Sequence, residues 1–296
     1  MLEEHPGHTH THPHEPVREI EQLPEPVMRL LALGQSVGDT GLTVVEEGRL
    51  KSDELSARGL TQGLSYFEKR FLTMRSVLAD KGVITKEDVR TLGEQSFELG
   101  VKALTRLLLE KGIVTQKALD RNYEKVKARS PMTGAKIIAR AWADLAFKAK
   151  LLRDAKGAIM EWNASLLEPN NGETMEAWNV TNLEALENTE RVRNVVVCTL
   201  CSCYPMGLLG QPPDWYTKDD YRQRVVKEPR AVLAEWGTRV GDNVEIRIYD
   251  SSADMRYLVV PARPQGTEGL SENELADLVT RDSLIGVGDP LSPSRK

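Results

Sequence analysis

All three cysteines of this 296-residue chain lie within six consecutive positions, as Cys198, Cys201 and Cys203. All five histidines lie within the first fourteen residues. A Ser–His–Asp triad, a Cys–His pair or a His-ligated zinc centre would therefore need a residue from that leading segment. An odd number of closely spaced cysteines does not form a disulfide framework. The sequence indicates that the chemistry of this chain occurs at the three sulfurs.

The spacing Cys-x-x-Cys-x-Cys, which we call the cysteine motif (residues 198–203), is compatible with several kinds of site. A structural zinc site needs four ligands, and only three thiols are present. A thioredoxin-like redox pair would use Cys198 and Cys201 and would leave Cys203 without a role. Three structural cysteines at a strand end are the plainest alternative, but cysteine occurs nowhere else in the chain.

A metal site explains all three cysteines together. A strand that ends at Cys198, followed by a tight turn through Ser202, would bring the three sulfurs to one point. The backbone nitrogens of Ser202 and Cys203 lie close enough to join them, and deprotonated amides are strong donors. Five such ligands leave one position vacant on an octahedral trivalent ion. A vacant position of this kind can polarise a nitrile or a water molecule.

Composition places the chain among ordinary globular proteins, with 40% hydrophobic and 28% charged residues. The formal net charge of −5 argues against nucleic acid or an anionic membrane as the main partner. No apolar stretch reaches the roughly 18–20 residues of a membrane-spanning helix, and the acidic start Met-Leu-Glu-Glu does not resemble a signal peptide. We therefore expect a cytoplasmic protein without a membrane partner.

The first half of the chain has a helical pattern, preceded by a His-rich tail over residues 1–24 that we expect to be disordered. One hypothesis is that the tail collects metal ions, because neutral imidazoles bind cobalt, nickel and zinc well. The segments Ser76–Thr85 and Arg106–Thr115 match at an offset of 30 residues. Each predicts a helix that ends at a glycine and a second helix capped by threonine. With few core residues of their own, these two hairpins are expected to pack on a partner chain.

After residue 130 the periodicity changes from helical to mixed. Ser130 and Pro131 predict a helix start, and residues 163–190 are expected to be loop-rich. Further helices are predicted near Phe147–Glu161, Asp219–Trp236 and Ser271–Thr280, and strands at Asn194–Cys198, Val244–Tyr249 and Arg256–Val260. The predicted fold class is α+β, with a helical N-terminal arm followed by a layered α/β metal-binding domain.

The sequence VCTLCSCYP, followed by Leu209-Gly-Gln-Pro-Pro-Asp-Trp-Tyr216, resembles the metal-binding motif of the nitrile hydratase α subunit. The likeness extends over roughly Gly134–Gly288 and includes Arg140-Ala-Trp142, Arg224–Arg230, Asp250-Ser-Ser252, Arg256-Tyr-Leu, Gly266–Gly269 and Val279–Asp282. The γ subunit of thiocyanate hydrolase shares this motif and fold. The resemblance therefore identifies the superfamily more firmly than the substrate.

The resemblance implies a ligand set and two modified cysteines. The metal would be held by three thiol sulfurs and two backbone amides, supplied by Cys198, Cys201, Ser202 and Cys203. Cys201 would carry a sulfinic acid and Cys203 a sulfenic acid, and Cys203 and Ser202 would be the catalytic residues. Cobalt(III) is expected in preference to iron(III), because Thr199 and Tyr204 resemble the cobalt branch of the family.

The reaction implied is the hydration of a nitrile to its amide by a hydro-lyase of nitrogen metabolism. The alternative is conversion of thiocyanate to carbonyl sulfide and ammonia. A third hypothesis, from a different class, is a non-catalytic subunit for cobalt storage or assembly. Met206-Gly207 stands where nitrile hydratases usually have Trp-Pro, and a longer segment, Trp162–Asn182, replaces their Gln-Gly-Glu-His stretch. The thiocyanate hydrolase γ chain has a basic residue at the position of Met206, so a neutral nitrile suits this chain better.

The region Gly63–Arg90 resembles the N-terminal helices of the nitrile hydratase β subunit, and the second hairpin resembles the usual start of the α subunit. We therefore divide the chain into residues 1–24, a β-like helical segment 25–99, a helical arm 100–165 and a catalytic domain 166–296. The β barrel and the β-subunit arginines have no counterpart in this sequence. The expected assembly is a hetero-oligomer with at least one barrel-bearing β-type partner, acting on a small nitrile.

Overall fold

The computed structural model describes residues 23–166, 182–199, 203–210, 212–252 and 254–293. These residues belong to two compact units that meet in the sequence between Arg129 and Ser130. The first unit contains the helical hairpins, and the second contains every described residue of the cysteine motif. Residues 1–22 of the His-rich tail, which include all five histidines, lie outside the described residues.

The first unit is built from six helices: α1 Glu25–Asp39, α2 Val45–Ala57, α3 Tyr66–Asp80, α4 Lys86–Gly93, α5 Phe97–Glu110 and α6 Gln116–Lys127. The predicted repeat is confirmed as the hairpins α3–α4 and α5–α6. Each first helix is followed by a glycine with positive φ, 70° at Gly82 and 68° at Gly112. Thr85 and Asp88 form the predicted capping box at the start of α4. The predicted boundary between the β-like segment 25–99 and the helical arm 100–165 falls within α5, and this division stays a prediction.

The two hairpins share a core with α1 and do not depend on a second chain for it. Leu30 and Leu33 of α1, Leu78 of α3 and Leu104 of α5 are at most 1% exposed and pack in one cluster. Helix α1 also packs along α6, where Val126 is buried against Val27 and Leu31, among others. Helix α1 therefore supplies an apolar face to the hairpins within the same chain, and their packing on a partner chain stays a prediction.

The second unit contains helices and four short strands. The helices are α7 Pro131–Ala143, α8 Leu145–Arg153, α9 Ala155–Leu166, α10 Met206–Leu209, α11 Asp214–Thr217, α12 Asp219–Lys227, α13 Pro229–Glu235 and α14 Glu272–Ala276. The strands are β1 Asn182–Glu187, β2 Val192–Val197, β3 Glu245–Asp250 and β4 Met255–Val260. Ser130 caps α7 and Pro131 occupies its first turn, as the sequence predicts.

The strands form two parallel pairs, β1 with β4 and β2 with β3. In the second pair Val197 lies opposite Asp250, so both strands end at the same edge. Residues 195–197 of β2 are fully buried in the main core, which explains the unbroken apolar run that predicts this strand. Gly286 lies against β2 with a φ of 82°. A Cβ at this position would lie only 1.8 Å from the Asn194 carbonyl oxygen, so the site has no room for a side chain.

Several predicted boundaries differ from the structure. The helix predicted over Asp219–Trp236 is two helices, because Pro229 cannot continue α12. The prediction near Phe147–Glu161 covers α8 and α9, which are separated at Asp154. Helix α14 ends at Ala276, four residues before the predicted end. Strand β1 lies within the stretch predicted as loop, and α10 follows the cysteine motif where no helix is predicted.

Within the described part of the chain, none of the helices has the length and apolar character that crossing a membrane requires.

Candidate metal centre

Strand β2 places the first cysteine of the motif. Cys198 follows the last strand residue directly and is 0% exposed, whereas Cys203, after the turn, is 7% exposed. The Ser251 amide donates to the Val197 carbonyl at 2.7 Å and so extends the pairing of β2 and β3 to the motif. Cys201 and Ser202, the other two predicted ligand residues, lie outside the described residues. The structure therefore describes two of the three predicted ligand cysteines, and both are buried: Cys198 directly after β2, and Cys203 directly before Tyr204.

Asp250 holds the first residue of the turn. The Thr199 amide donates to Asp250 Oδ1 at 3.0 Å, and the Thr199 hydroxyl donates to Oδ2 at 2.5 Å. Both oxygens of one carboxylate are used, so the backbone and the side chain of Thr199 are fixed together. The parallel register explains this contact, because Asp250 stands opposite Val197, two residues before Thr199. Asp250 is thereby a positioning residue for the turn.

Tyr216 holds the last residue of the motif. Its hydroxyl donates to the Cys203 carbonyl at 2.9 Å, and its side chain is fully buried. The Tyr216 ring meets the Tyr204 ring edge-to-face, with centroids 4.9 Å apart. Trp215 and Tyr221 continue this aromatic cluster beneath the motif, and the Tyr221 hydroxyl donates to the Val196 carbonyl at 2.8 Å. Buried aromatic rings therefore support the motif from one side, and their hydroxyls bind its backbone.

Burial keeps these phenols protonated. It raises the pKa of Tyr216 well above its usual value, and Tyr221, Cys198 and Tyr204 act in the same direction. Burial likewise raises the pKa of Tyr221 and of Tyr204. A hydroxyl that keeps its proton remains a donor, so the bond from Tyr216 to the Cys203 carbonyl persists over the whole physiological pH range.

Tyr204 carries a buried hydroxyl that has no hydrogen-bond partner among the residues that the structure describes. Because burying an unsatisfied hydroxyl costs free energy, an orphaned buried hydroxyl commonly contacts a bound water molecule or ion. Tyr204 follows Cys203 directly, so this hydroxyl belongs to the surroundings of the motif. Arg281 lies close enough to Tyr204 to lower the pKa of its phenol, against the larger effect of burial.

The chemistry of the donor set fits a thiolate-bound metal ion. Cys198 and Cys203 are soft sulfur ligands in a buried position, and every histidine of the chain lies before residue 15. The described residues contain no cluster of three or more His, Cys, Asp or Glu side chains suited to a metal ion. The predicted contribution of Cys201 and of the backbone amides of Ser202 and Cys203 stays a prediction, because Cys201 and Ser202 lie outside the described residues.

Three other sequence observations can be compared with the structure. Arg256, in one of the stretches that resemble the family, donates to the backbone carbonyls of Ser252 and Met255. Met206, which departs from the family pattern, packs partly buried against the main core at the start of α10. Tyr221 was not singled out from the sequence, although aromatic residues at 215, 216 and 221 are close enough to predict a cluster.

Comparison with known protein families gives a direct match. The family described as "Nitrile hydratase, alpha chain" matches residues 95–288, which is more than half of the chain. The low-molecular weight cobalt-containing nitrile hydratase subunit alpha of Rhodococcus rhodochrous is 50% identical over 196 residues. That alignment covers 66% of this chain and 89% of the relative.

Two solved structures extend the comparison to the fold. A recombinant thiocyanate hydrolase with partially modified cobalt centres has a TM-score of 0.60 at 36% identity, covering 68% of this chain and 95% of that one. A double mutant of the iron-type nitrile hydratase from Comamonas testosteroni Ni1 has a TM-score of 0.56 at 38% identity, covering 66% and 91%. The α+β fold class is thereby confirmed, and the similar proteins include both cobalt and iron types.

Proposed function

The chain belongs to the nitrile hydratase alpha-chain family, an enzyme family of hetero-oligomers, and from this we propose that it is the metal-binding subunit of a cobalt nitrile hydratase. The reaction is the addition of water to a nitrile to give the corresponding amide. The observation that carries the proposal is the burial of Cys198, directly after β2, and of Cys203, within a Cys-x-x-Cys-x-Cys motif in which Asp250 binds Thr199 and Tyr216 binds the Cys203 carbonyl.

The ligand set we propose consists of three sulfurs and two backbone nitrogens, from Cys198, Cys201, Ser202 and Cys203. Bound there, a trivalent ion with an open position would act as a Lewis acid toward the nitrile nitrogen. Sulfur ligands on such an ion are open to oxidation. We assign the sulfinic acid to Cys201 and the sulfenic acid to Cys203.

The protein groups then have distinct tasks. Asp250 fixes Thr199 through two hydrogen bonds, so the chain leaves β2 in one orientation. Tyr216 fixes the carbonyl of Cys203 and thereby the peptide that carries the catalytic sulfur. The sulfenic acid oxygen proposed on Cys203 would attack the nitrile carbon or take the proton from the attacking water, and Ser202 is its neighbour in the sequence. Positioning by bonds to both ends of the motif keeps these groups in place during the reaction.

Cobalt is the metal we propose. The relative from Rhodococcus rhodochrous carries cobalt in its name, and its 50% identity exceeds the 38% identity of the iron-type structure. Thr199 and Tyr204 resemble the cobalt branch, and the Thr199 hydroxyl is engaged with Asp250. The partner we propose is a β-type subunit bearing the barrel that this chain does not contain.

Thiocyanate hydrolysis is the second candidate, supported by the similarity to a thiocyanate hydrolase structure. The side chain at position 206 favours the nitrile, because thiocyanate is an anion and methionine offers it no charge. The deciding experiment compares steady-state hydration of acrylonitrile with release of ammonia from thiocyanate, using the purified complex. We expect amide formation. Activity on thiocyanate alone would favour the second candidate, and a cobalt-loaded complex inert toward both would favour a storage role.

A further inference from the structure

Helices α1–α4 lie outside the part of the chain that matches the family. The match begins at residue 95, just before α5, and α4 ends at Gly93. The alignment with the Rhodococcus relative covers 89% of that protein, and the remainder is too short to contain four further helices. The hairpin α5–α6, which we call the arm (Phe97–Lys127), is therefore shared with the family, whereas the helices packed on it are an addition.

The added helices cover the apolar face of the arm. Val101, Leu104 and Leu108 of α5 are at most 1% exposed, and they pack against apolar side chains of α1 and α3. Gly100 allows the closest approach, because a Cβ at this position would lie 2.8 Å from the Phe71 ring. Val126 of α6 is buried in a cluster whose other buried members all come from α1. Without α1 and α3, this face would be exposed to solvent.

Specific polar contacts fix α1 on the arm. Asp39 Oδ2 accepts hydrogen bonds from Arg121 and from Asn122, both at 2.9 Å. The Asn122 amide also donates to the Ser36 hydroxyl at 2.9 Å, and both side chains are buried. Arg129 donates to Gln35 at 2.9 Å. Buried, paired polar groups specify one docking geometry, which a nonspecific apolar contact does not.

We infer that α1 and α3 occupy, within the same chain, the arm face that relatives without these helices must cover with a partner subunit. A second chain then cannot pack on this face of the arm. Its catalytic partner binds elsewhere on the subunit and needs no helices of its own for this face. The inference rests on family membership and on the contacts within the first unit, and it does not depend on which substrate is hydrated.

Hydrogen–deuterium exchange of the full-length subunit, alone and in the assembled complex, tests this inference. When the partner binds, we expect the exchange rates of α1 peptides and of arm peptides to change in the same direction, or both to stay unchanged. Faster exchange of Val27–Val37 on assembly would overturn the inference, because it would mean that the partner displaces α1. Selective slowing of arm peptides without slowing of α1 would also overturn it.

A matched pair of variants tests the contact inside the complex. D39A removes an acceptor that joins α1 to α6, whereas E87A removes an exposed acid of α4 that pairs with Arg90 of the same helix. In the assembled complex, D39A should increase deuterium uptake in both α1 and α6, and E87A should leave uptake in α6 unchanged. If D39A alters exchange in the free subunit but not in the complex, α1 has left the arm on assembly and the inference is wrong.

Discussion

Thr199 and Asp250 are joined by two hydrogen bonds, from the amide at 3.0 Å and from the hydroxyl at 2.5 Å. They stand at the ends of β2 and β3, two strands that are paired in parallel. The aspartate is separated from the cysteine motif by about fifty residues of sequence, so only the strand register brings the two together. This contact fixes the direction in which the chain leaves β2 after Cys198.

D250A should impair metal loading. Loss of both acceptors releases Thr199, and groups that orient metal ligands typically contribute roughly 10–100-fold to affinity or rate. D254A is the control, because Asp254 is an exposed acid in the same loop whose carboxylate takes no part in the Thr199 contact. Cobalt content by elemental analysis and the rate per bound cobalt are the measurements. Equal loading of D250A and D254A would show that Asp250 does not position the turn.

Y216F and Y221F should distinguish a hydroxyl that positions the cysteine motif from one that only stabilises the fold. Each removes a buried hydroxyl that donates to a backbone carbonyl, at 2.9 Å to Cys203 and at 2.8 Å to Val196. Both should lower the free energy of unfolding by a similar amount, about 1–3 kcal/mol. Only Y216F should shift the sulfur-to-metal charge-transfer band of the loaded subunit. A band shifted equally by Y221F would contradict this assignment.

The stability of the second unit should fall at high pH. Burial raises the pKa of Tyr204, Tyr216 and Tyr221 above their ordinary value of 10.0. Above that pH the unfolded chain loses phenolic protons that the folded chain keeps, so the stabilisation present at lower pH is progressively lost. Well above pH 10, where the unfolded phenols are ionised, each tyrosine contributes a slope of up to about 1.4 kcal/mol per pH unit. Urea unfolding at pH 8, 10 and 11 measures this, and a flat profile above pH 10 would refute it.

G286A should destabilise the fold beside the motif. Gly286 has φ of 82°, and a Cβ there would lie 1.8 Å from the Asn194 carbonyl oxygen in β2. The strained backbone alone costs about 1–3 kcal/mol, and the contact with β2 adds to that. Gly269 provides the control, because a Cβ there meets no atom within 4 Å. Thermal unfolding should show a large loss for G286A and little change for G269A.

Local sequence signals predicted the elements that position the site. The apolar run before Cys198 predicted a buried strand because both of its faces lie in the core, and Thr85 with Asp88 predicted a helix start through a capping box. Strand β1 was missed, because Asn182–Glu187 carries two acids and becomes a strand only by pairing with β4. Such pairing is a tertiary effect that local propensity does not contain.

The candidate site was predictable only in its ligand chemistry. The spacing of the cysteines indicated sulfur ligands, because that information is local to six residues. The roles of Asp250 and Tyr216 depend on strand register and on the packing of α11, which place them beside Thr199 and Cys203. The cover that α1 provides for the arm was not predicted either, since a helix pattern does not specify which apolar face it meets.

The most direct test is mass spectrometry of the peptide that contains the cysteine motif, combined with metal analysis of the assembled complex. The account predicts one cobalt per chain, two added oxygen atoms on Cys201 and one on Cys203, with Cys198 unmodified. Three unmodified thiols in a complex that contains neither cobalt nor iron would contradict it.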